Sequence, residues 1–395
     1  MEIENYLQKI DSVLEHHVYA NDTLFMGNLG RLLYFMYRYR TSDNAKFGAL
    51  ASEILDQIFL NLNSGKSGIV FTSALSNGLS GLTTITGLLQ EDDFLALDID
   101  ETIQQFEEII FKRTIQQINE GNFDYLHGSI GSLQYFTTRV KQDTKVEKYI
   151  AEIIEKLEQQ AIFDDKGLRF NNLIINNLND TPDEINLGFA HGLSGIISVL
   201  LKVYETGICQ NKVEKIIREA LKYTISSYQE VDFLAGKFAH FPSVINEKFA
   251  LTDKENQQAY RSFLGWCYGD LNQVILLYKA GKLLNEPRWI ALADKVGKTT
   301  MLRTIHYGTQ IKDAFLCHGA SGLALMYQYI LTISKDENYQ KGIDYWLEQT
   351  LNYLEKYDWT HEPQGSLLGG IEGLGLALMT LQTDKKVLWT RIFLQ

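Results

Sequence analysis

The sequence predicts an all-α protein: an α,α-toroid, a double ring of seven helical hairpins whose inner helices line the centre. Three observations predict it. A Gly-x-x-Gly pattern opening an apolar stretch recurs seven times along the 395 residues. Each period divides into an apolar half and an amphipathic half. Only four prolines interrupt the chain (Pro182, Pro242, Pro287, Pro363), as suits long helices, whose interiors proline breaks.

The copies, in order, are Gly27-Asn28-Leu29-Gly30, Gly78-Leu79-Ser80-Gly81, Gly128-Ser129-Ile130-Gly131, Gly192-Leu193-Ser194-Gly195, the degenerate Gly269-Asp270-Leu271-Asn272, Gly319-Ala320-Ser321-Gly322 and Gly370-Ile371-Glu372-Gly373. Their first glycines are 51, 50, 64, 77, 50 and 51 residues apart. Such a period holds two helices and two connections. The stretch after each glycine pair, such as Ile196-Ile197-Ser198-Val199-Leu200-Leu201, is apolar almost all round and reads as a buried inner helix. The stretch before the next pair has one wet face. Ile150, Ile153, Ile154 and Leu157, and again Val213, Ile216, Ile217, Ala220 and Leu221, show the i, i+3, i+4, i+7 spacing of an outer helix. Glycines at the inner-helix starts permit close backbone approach.

A chain this long exceeds one ordinary domain, but hairpins that pack on their neighbours relax that limit. Residues 1–395 are therefore expected to form a single toroid domain. An open superhelical solenoid is the competing architecture; the lack of a polar capping repeat at either end favours closure. The two long periods carry insertions around 163–186 and 231–260. The first is rich in Asn and Asp, with some alternation at Leu168 and Phe170; the second includes Phe241-Pro242. Both read as long connections near the mouth, with short strands or loops that shape a cleft.

In a closed ring all seven turns face one rim. Just before the first glycines stand Met26, Asn77, His127, His191, Tyr268, His318 and Gly369, and one place earlier Phe25, Ser76, Leu126, Ala190, Cys267, Cys317 and Leu368. The chain has eight histidines and three cysteines in all, so their concentration at equivalent turns is not chance. Cys267, Cys317 and His318, brought together by adjacent repeats, have the donors of a zinc site with one position open. The plain alternative is two buried cysteines filling core gaps, but both share their turns with polar neighbours. Cys209 lies outside the pattern. Two thiolates make zinc a weak Lewis acid and suit it to holding a third thiol as thiolate, which points to thiol addition or alkylation more than to hydrolysis. His191 has no cysteine beside it and is free for proton transfer or for capping a helix. Asp124, three residues before His127, can orient a histidine, hold substrate or cap a helix. Tyr268 can donate to a developing enolate or pack against the rim. His127 shares the turn position without a required role.

The formal charge of −12 argues against non-specific nucleic-acid binding and against docking on anionic lipid through a basic face. Neither a signal-peptide pattern nor an apolar run of membrane-spanning length is present. Three cysteines do not make a disulfide framework, and a reducing cytoplasm is the expected home.

Together these motifs, above all Trp266-Cys267-Tyr268-Gly269-Asp270-Leu271 followed by Cys317-His318-Gly319-Ala320-Ser321-Gly322 and preceded by Ala190-His191-Gly192, resemble the lanthionine synthetase C-like family, the lantibiotic cyclases, over essentially the whole chain. The resemblance implies a zinc-dependent α,α-toroid that closes thioether rings by adding substrate cysteine thiolates to dehydroalanine or dehydrobutyrine. It implies zinc on Cys267, Cys317 and His318, proton transfer by His191, and active-site roles for Asp124 and Tyr268. It also implies a dehydrated precursor peptide with its leader, a dehydratase and a transporter as partners, the partners being a route to the membrane periphery. Glutathione addition to dehydroamino acids, and a non-catalytic zinc scaffold recruiting a dehydratase, are the alternatives. Family cyclases carry an arginine four residues before the first zinc cysteine. Phe263 stands there, and Arg261 is two residues out of register.

Overall fold

In a computed structural model of the protein, residues 2–94, 100–141, 144–359, 365–385 and 387–394 are described. They form sixteen α-helices: α1 (Glu2–His16), α2 (Asn28–Ser42), α3 (Ala45–Asn63), α4 (Leu79–Glu91), α5 (Asp100–Asn119), α6 (Ser129–Arg139), α7 (Thr144–Gln160), α8 (Leu173–Asn179), α9 (Leu193–Thr206), α10 (Gln210–Ser226), α11 (Lys254–Gln258), α12 (Asp270–Leu283), α13 (Pro287–Thr300), α14 (Ala320–Ser334), α15 (Gln340–Glu355) and α16 (Ile371–Gln382). None of these is long and apolar enough to cross a membrane.

The α,α-toroid expected from the repeats is what forms. The inner helices α2, α4, α6, α9, α12, α14 and α16 each pack on the next, and α16 packs on α2, which rules out the open solenoid. Six hairpins follow chain order, with α3, α5, α7, α10, α13 and α15 as outer partners. The seventh unites the chain ends, because α1 packs on α16. The helix periodicities are met: α7 buries Val146, Ile150, Ile153, Ile154 and Leu157, α10 buries Val213, Ile216, Ile217, Ala220 and Leu221, and α9 is buried almost all round.

The repeated second glycine has a steric cause. A Cβ there would run into the carbonyl oxygen of the residue six positions earlier: Leu24 for Gly30, Leu75 for Gly81, Tyr125 for Gly131, Phe189 for Gly195, Leu316 for Gly322 and Leu367 for Gly373. The degenerate fifth repeat solves the same problem chemically. The Asn272 side-chain amide donates to the Trp266 carbonyl, six residues back, at 2.8 Å.

Backbone hydrogen bonds then tie the seven turns into an annulus. Leu24 N–H donates to Ser76 O (3.1 Å), Ser76 to Leu126 (2.9 Å), Tyr125 to Ala190 (3.2 Å), Phe189 to Cys267 (2.9 Å), Trp266 to Cys317 (2.9 Å), Cys317 to Leu368 (2.9 Å) and Leu367 to Phe25 (3.0 Å). The acceptors are the seven residues that stand one place before the rim position in the repeats.

The insertions pair with each other. β1 (Ile162–Asp164) and β2 (Gly167–Arg169) form an antiparallel hairpin, and Leu168 and Phe170 are buried as their alternation suggests. β3 (Glu184–Asn186), from the first insertion, pairs antiparallel with β4 (Val244–Asn246), from the second. The sequence did not indicate that pairing. Nor did it indicate what fills the ring. A short 3-10 helix, Trp389–Phe393, plugs the bore. Tyr125 Oη donates to Ile392 O (2.7 Å), Trp266 Nε1 to Phe393 O (2.9 Å) and Lys279 Nζ to Leu394 O (3.2 Å), and Tyr37 Oη accepts from Leu388 and Trp389 N–H.

Phe393 meets the rings of Phe25, Trp266 and Trp389. Phe393→Ala is therefore expected to lower unfolding stability by about 3–5 kcal/mol. Leu60→Ala, at a side chain 63% exposed on α3, should stay within about 0.5 kcal/mol. Urea denaturation of both variants checks the contrast.

Candidate functional site

The annulus sets the spacing of the chemical residues. The N–H of Trp266 binds the Cys317 carbonyl, so the turns carrying the two cysteines are directly joined. Turn five needs its glycine on conformational grounds, since Gly269 has φ 116° and ψ 171°, a region closed to residues with a Cβ. Asp270, fully buried at the start of α12, accepts from His240 N (2.9 Å) and Phe241 N (3.1 Å). The second insertion is thereby fastened to the turn that carries Cys267.

Cys267, Cys317 and His318 lie together, with their ligand atoms all within 4.8 Å of one another. Both cysteines are buried and His318 is exposed. Cys317 Sγ stands 3.6 Å from His318 Nε2, close to the separation of roughly 3.5 Å that two ligands take on a tetrahedral zinc with usual bond lengths. The donor set of two sulfurs and an imidazole is one that zinc favours. The thiols already differ: a hydrogen bond from Cys267, with His318 alongside, pulls Cys317 down to about 6. Cys267 is pushed well up by that same bond and by burial.

Beside this cluster Asp124 and His191 form a hydrogen-bonded pair. Asp124 Oδ1 accepts the N–H groups of Leu126 and His127, each at 2.8 Å. Its Oδ2 receives Nδ1 of His191 at 2.5 Å, which leaves Nε2 of His191 for another partner. Burial works against the His191 imidazolium, but Asp124 outweighs it and raises the imidazole above its ordinary value. Tyr268, with its ring centre 6.5 Å from that of His191, is pushed up to about 12 by burial and so keeps its proton. Its oxygen accepts from Asn186 Nδ2 at 2.8 Å.

Sequence reasoning left three supports unseen. Asn186 comes from β3, and Asn172, just before α8, donates toward Asp124 Oδ2 (3.5 Å) and the His191 carbonyl (3.3 Å). Both lie in the Asn-rich insertion, but composition does not single them out. Ser76 Oγ meets His127 Nδ1 at 2.7 Å, and the His127 ring stacks 6.3 Å from that of His191. Burial lowers the His127 imidazole below its ordinary value. Cys209 is apart from the cluster, capping α10 at φ 49°. Arg261 is exposed and lies against Gly236. The place beside His318 and Tyr268 is filled by Phe263, whose ring sits edge-on to each, with centres 5.1 and 5.7 Å away.

A sequence model of the family described as lanthionine synthetase C-like protein matches residues 19–394. The nisin biosynthesis protein NisC of Lactococcus lactis subsp. lactis is 24% identical over 334 residues, which cover 78% of this chain and 74% of NisC. A solved structure of nisin cyclase superposes with a TM-score of 0.78 at 17% identity, covering 99% of this chain and 96% of that one. At that identity the superposition speaks for the fold.

In reduced, metal-free protein Cys317 is expected to be alkylated by iodoacetamide with a half-maximal rate near pH 6, while Cys267 stays slow well above that pH. Peptide mapping by mass spectrometry after timed labelling reads both rates. Equal labelling at pH 7 would remove the thiolate assignment.

Proposed function

The chain belongs to the lanthionine synthetase C-like family, and we propose that it is a zinc-dependent lanthionine synthetase closing thioether rings in a dehydrated precursor peptide. The observation that supports this most is the convergence of Cys267, Cys317 and His318 with the Asp124–His191 pair on one rim. A metal site for a thiol thus adjoins a proton donor. Zinc on the two thiolates and the imidazole supplies acidification, so that a peptide cysteine is ionised near neutral pH.

The remaining work falls to side chains of this chain. The peptide sulfur adds to the β-carbon of a dehydroalanine or dehydrobutyrine. A C–S bond forms, and the alkene electrons shift toward the carbonyl oxygen as an enolate. Tyr268, protonated and held by Asn186, donates a hydrogen bond to that oxygen. His191, whose imidazolium Asp124 favours, gives the proton on Nε2 to the α-carbon. The proton lost by the thiol restores it, so the reaction is a net isomerisation with no further reagent. Asn172 holds Asp124 and the His191 carbonyl and so positions the acid. Placing both reacting ends on one surface raises their effective concentration and selects which ends meet.

One zinc per chain is expected by metal analysis of the purified protein. Cys317→Ala should lose metal and cyclisation together, whereas His191→Ala should keep the metal and cyclise about 10²–10⁴-fold more slowly. Masses and alkylation of a dehydrated peptide, with and without added glutathione, read the outcome; glutathione adducts in place of rings would redirect the assignment of substrate. The pH dependence has a definite sign. Since His191 must carry its proton and Asp124 raises its pKa, the rate falls as pH rises through that raised value. In Asp124→Asn the alkaline limb should move to lower pH. A limb that stays in place would show that His191 is not the acid.

A further inference from the structure

The site has an apolar wall. Phe263, only partly buried, stands edge-on to His318 and Tyr268, so a group that reaches the cluster from this side meets a phenyl ring. Two segments flank Phe263. Leu264 N–H donates to Thr309 O at 3.1 Å, and Phe238 and Ala239 both donate to Tyr260 O, at 3.1 and 3.0 Å. Phe238 belongs to a hairpin closed by reciprocal hydrogen bonds between Asp232 and Lys237. Its ring packs on Gly308 and forms a cluster with Phe233 and Tyr307, ring centres 5.3–6.1 Å apart. Leu234 at the hairpin tip is 100% exposed, Leu302 62% and Tyr307 40%. In a chain of net charge −12, carbon is thus displayed at Phe263 beside His318 and Tyr268, and a second aromatic group lies on the segments that flank it.

We infer that Phe263 forms the apolar wall of a subsite that selects peptides with bulky apolar residues flanking the reacting cysteine. This rests on the reading of Cys267, Cys317 and His318 as the place where a peptide thiol docks. A cysteine held there puts its neighbours within reach of Phe263. A leucine beside it gains contact with the ring, and an aspartate loses hydration with no partner in exchange. Discrimination on the order of tenfold follows from such a difference.

The test uses two synthetic peptides of equal length, one with leucine on both sides of the cysteine and one with aspartate on both sides. Each carries alanine in place of the dehydroamino acid, so that nothing reacts. Fluorescence anisotropy with zinc-loaded full-length protein should show the leucine peptide binding about tenfold more tightly. Phe263→Ala should cut that ratio to threefold or less at unchanged zinc content, and Phe263→Leu should retain most of it. Equal affinities in the wild-type protein, an unchanged ratio in Phe263→Ala, or no binding of either peptide would overturn the inference. Reactive versions are assayed separately. A leucine preference with no ring product would sink the cyclase reading while the subsite stands; ring product without preference would do the reverse.

Discussion

The turn-to-turn backbone annulus is the constraint on which the rest of the molecule depends. Each of seven turns donates one N–H to the carbonyl of the next, and the last bond, Leu367 to Phe25, returns to the first turn. A buried peptide group must find a partner, and here neighbouring repeats supply it, so spacing around the rim is set by main chain rather than by side-chain packing. The tight turns this requires leave no room for a Cβ at the second glycine. Where that glycine is absent, Asn272 replaces steric clearance by a hydrogen bond to the same carbonyl. Side chains projecting from the annulus inherit its precision, and such preorganisation is what a metal site and an acid–base pair need.

Chemistry is unevenly distributed around this regular frame. Turns three to six carry Asp124, His127, His191, Cys267, Tyr268, Cys317 and His318, while the first, second and seventh present Met26, Asn77 and Gly369. The two insertions fall in the periods that begin at turns three and four, beside the same arc. Their pairing through β3 and β4 brings Asn186 onto Tyr268 and Asn172 toward Asp124, so the loops support the arc from outside the ring. Support also comes from within the ring. The Phe393 carbonyl of the plug at Trp389–Phe393 accepts the Trp266 indole N–H, one residue from Cys267.

Electrostatics separates groups that the repeat makes equivalent. His127 and His191 occupy the same turn position, yet burial pulls one imidazole down and Asp124 lifts the other. Cys267 and Cys317 are likewise equivalent by repeat, yet one is driven toward thiol and the other toward thiolate. On the proposed function, environments that push paired groups apart in this way let one site present an acid and a nucleophile-binding group at a single pH.

The sequence by itself determined the toroid, the order of inner and outer helices and the meeting of Cys267, Cys317 and His318, because a period near 50 residues repeats one hairpin and equivalent positions in adjacent hairpins are neighbours. It also brought Asp124 and His191 to consecutive turns. Only the tertiary structure decided that α1 completes the seventh hairpin, that β3 joins β4, that the Trp389–Phe393 segment fills the bore, and that Phe263 rather than Arg261 stands beside His318. Those contacts join segments far apart in the chain and outside the repeat. No periodicity marks them, and burial and hydrogen-bond satisfaction across the closed ring select them.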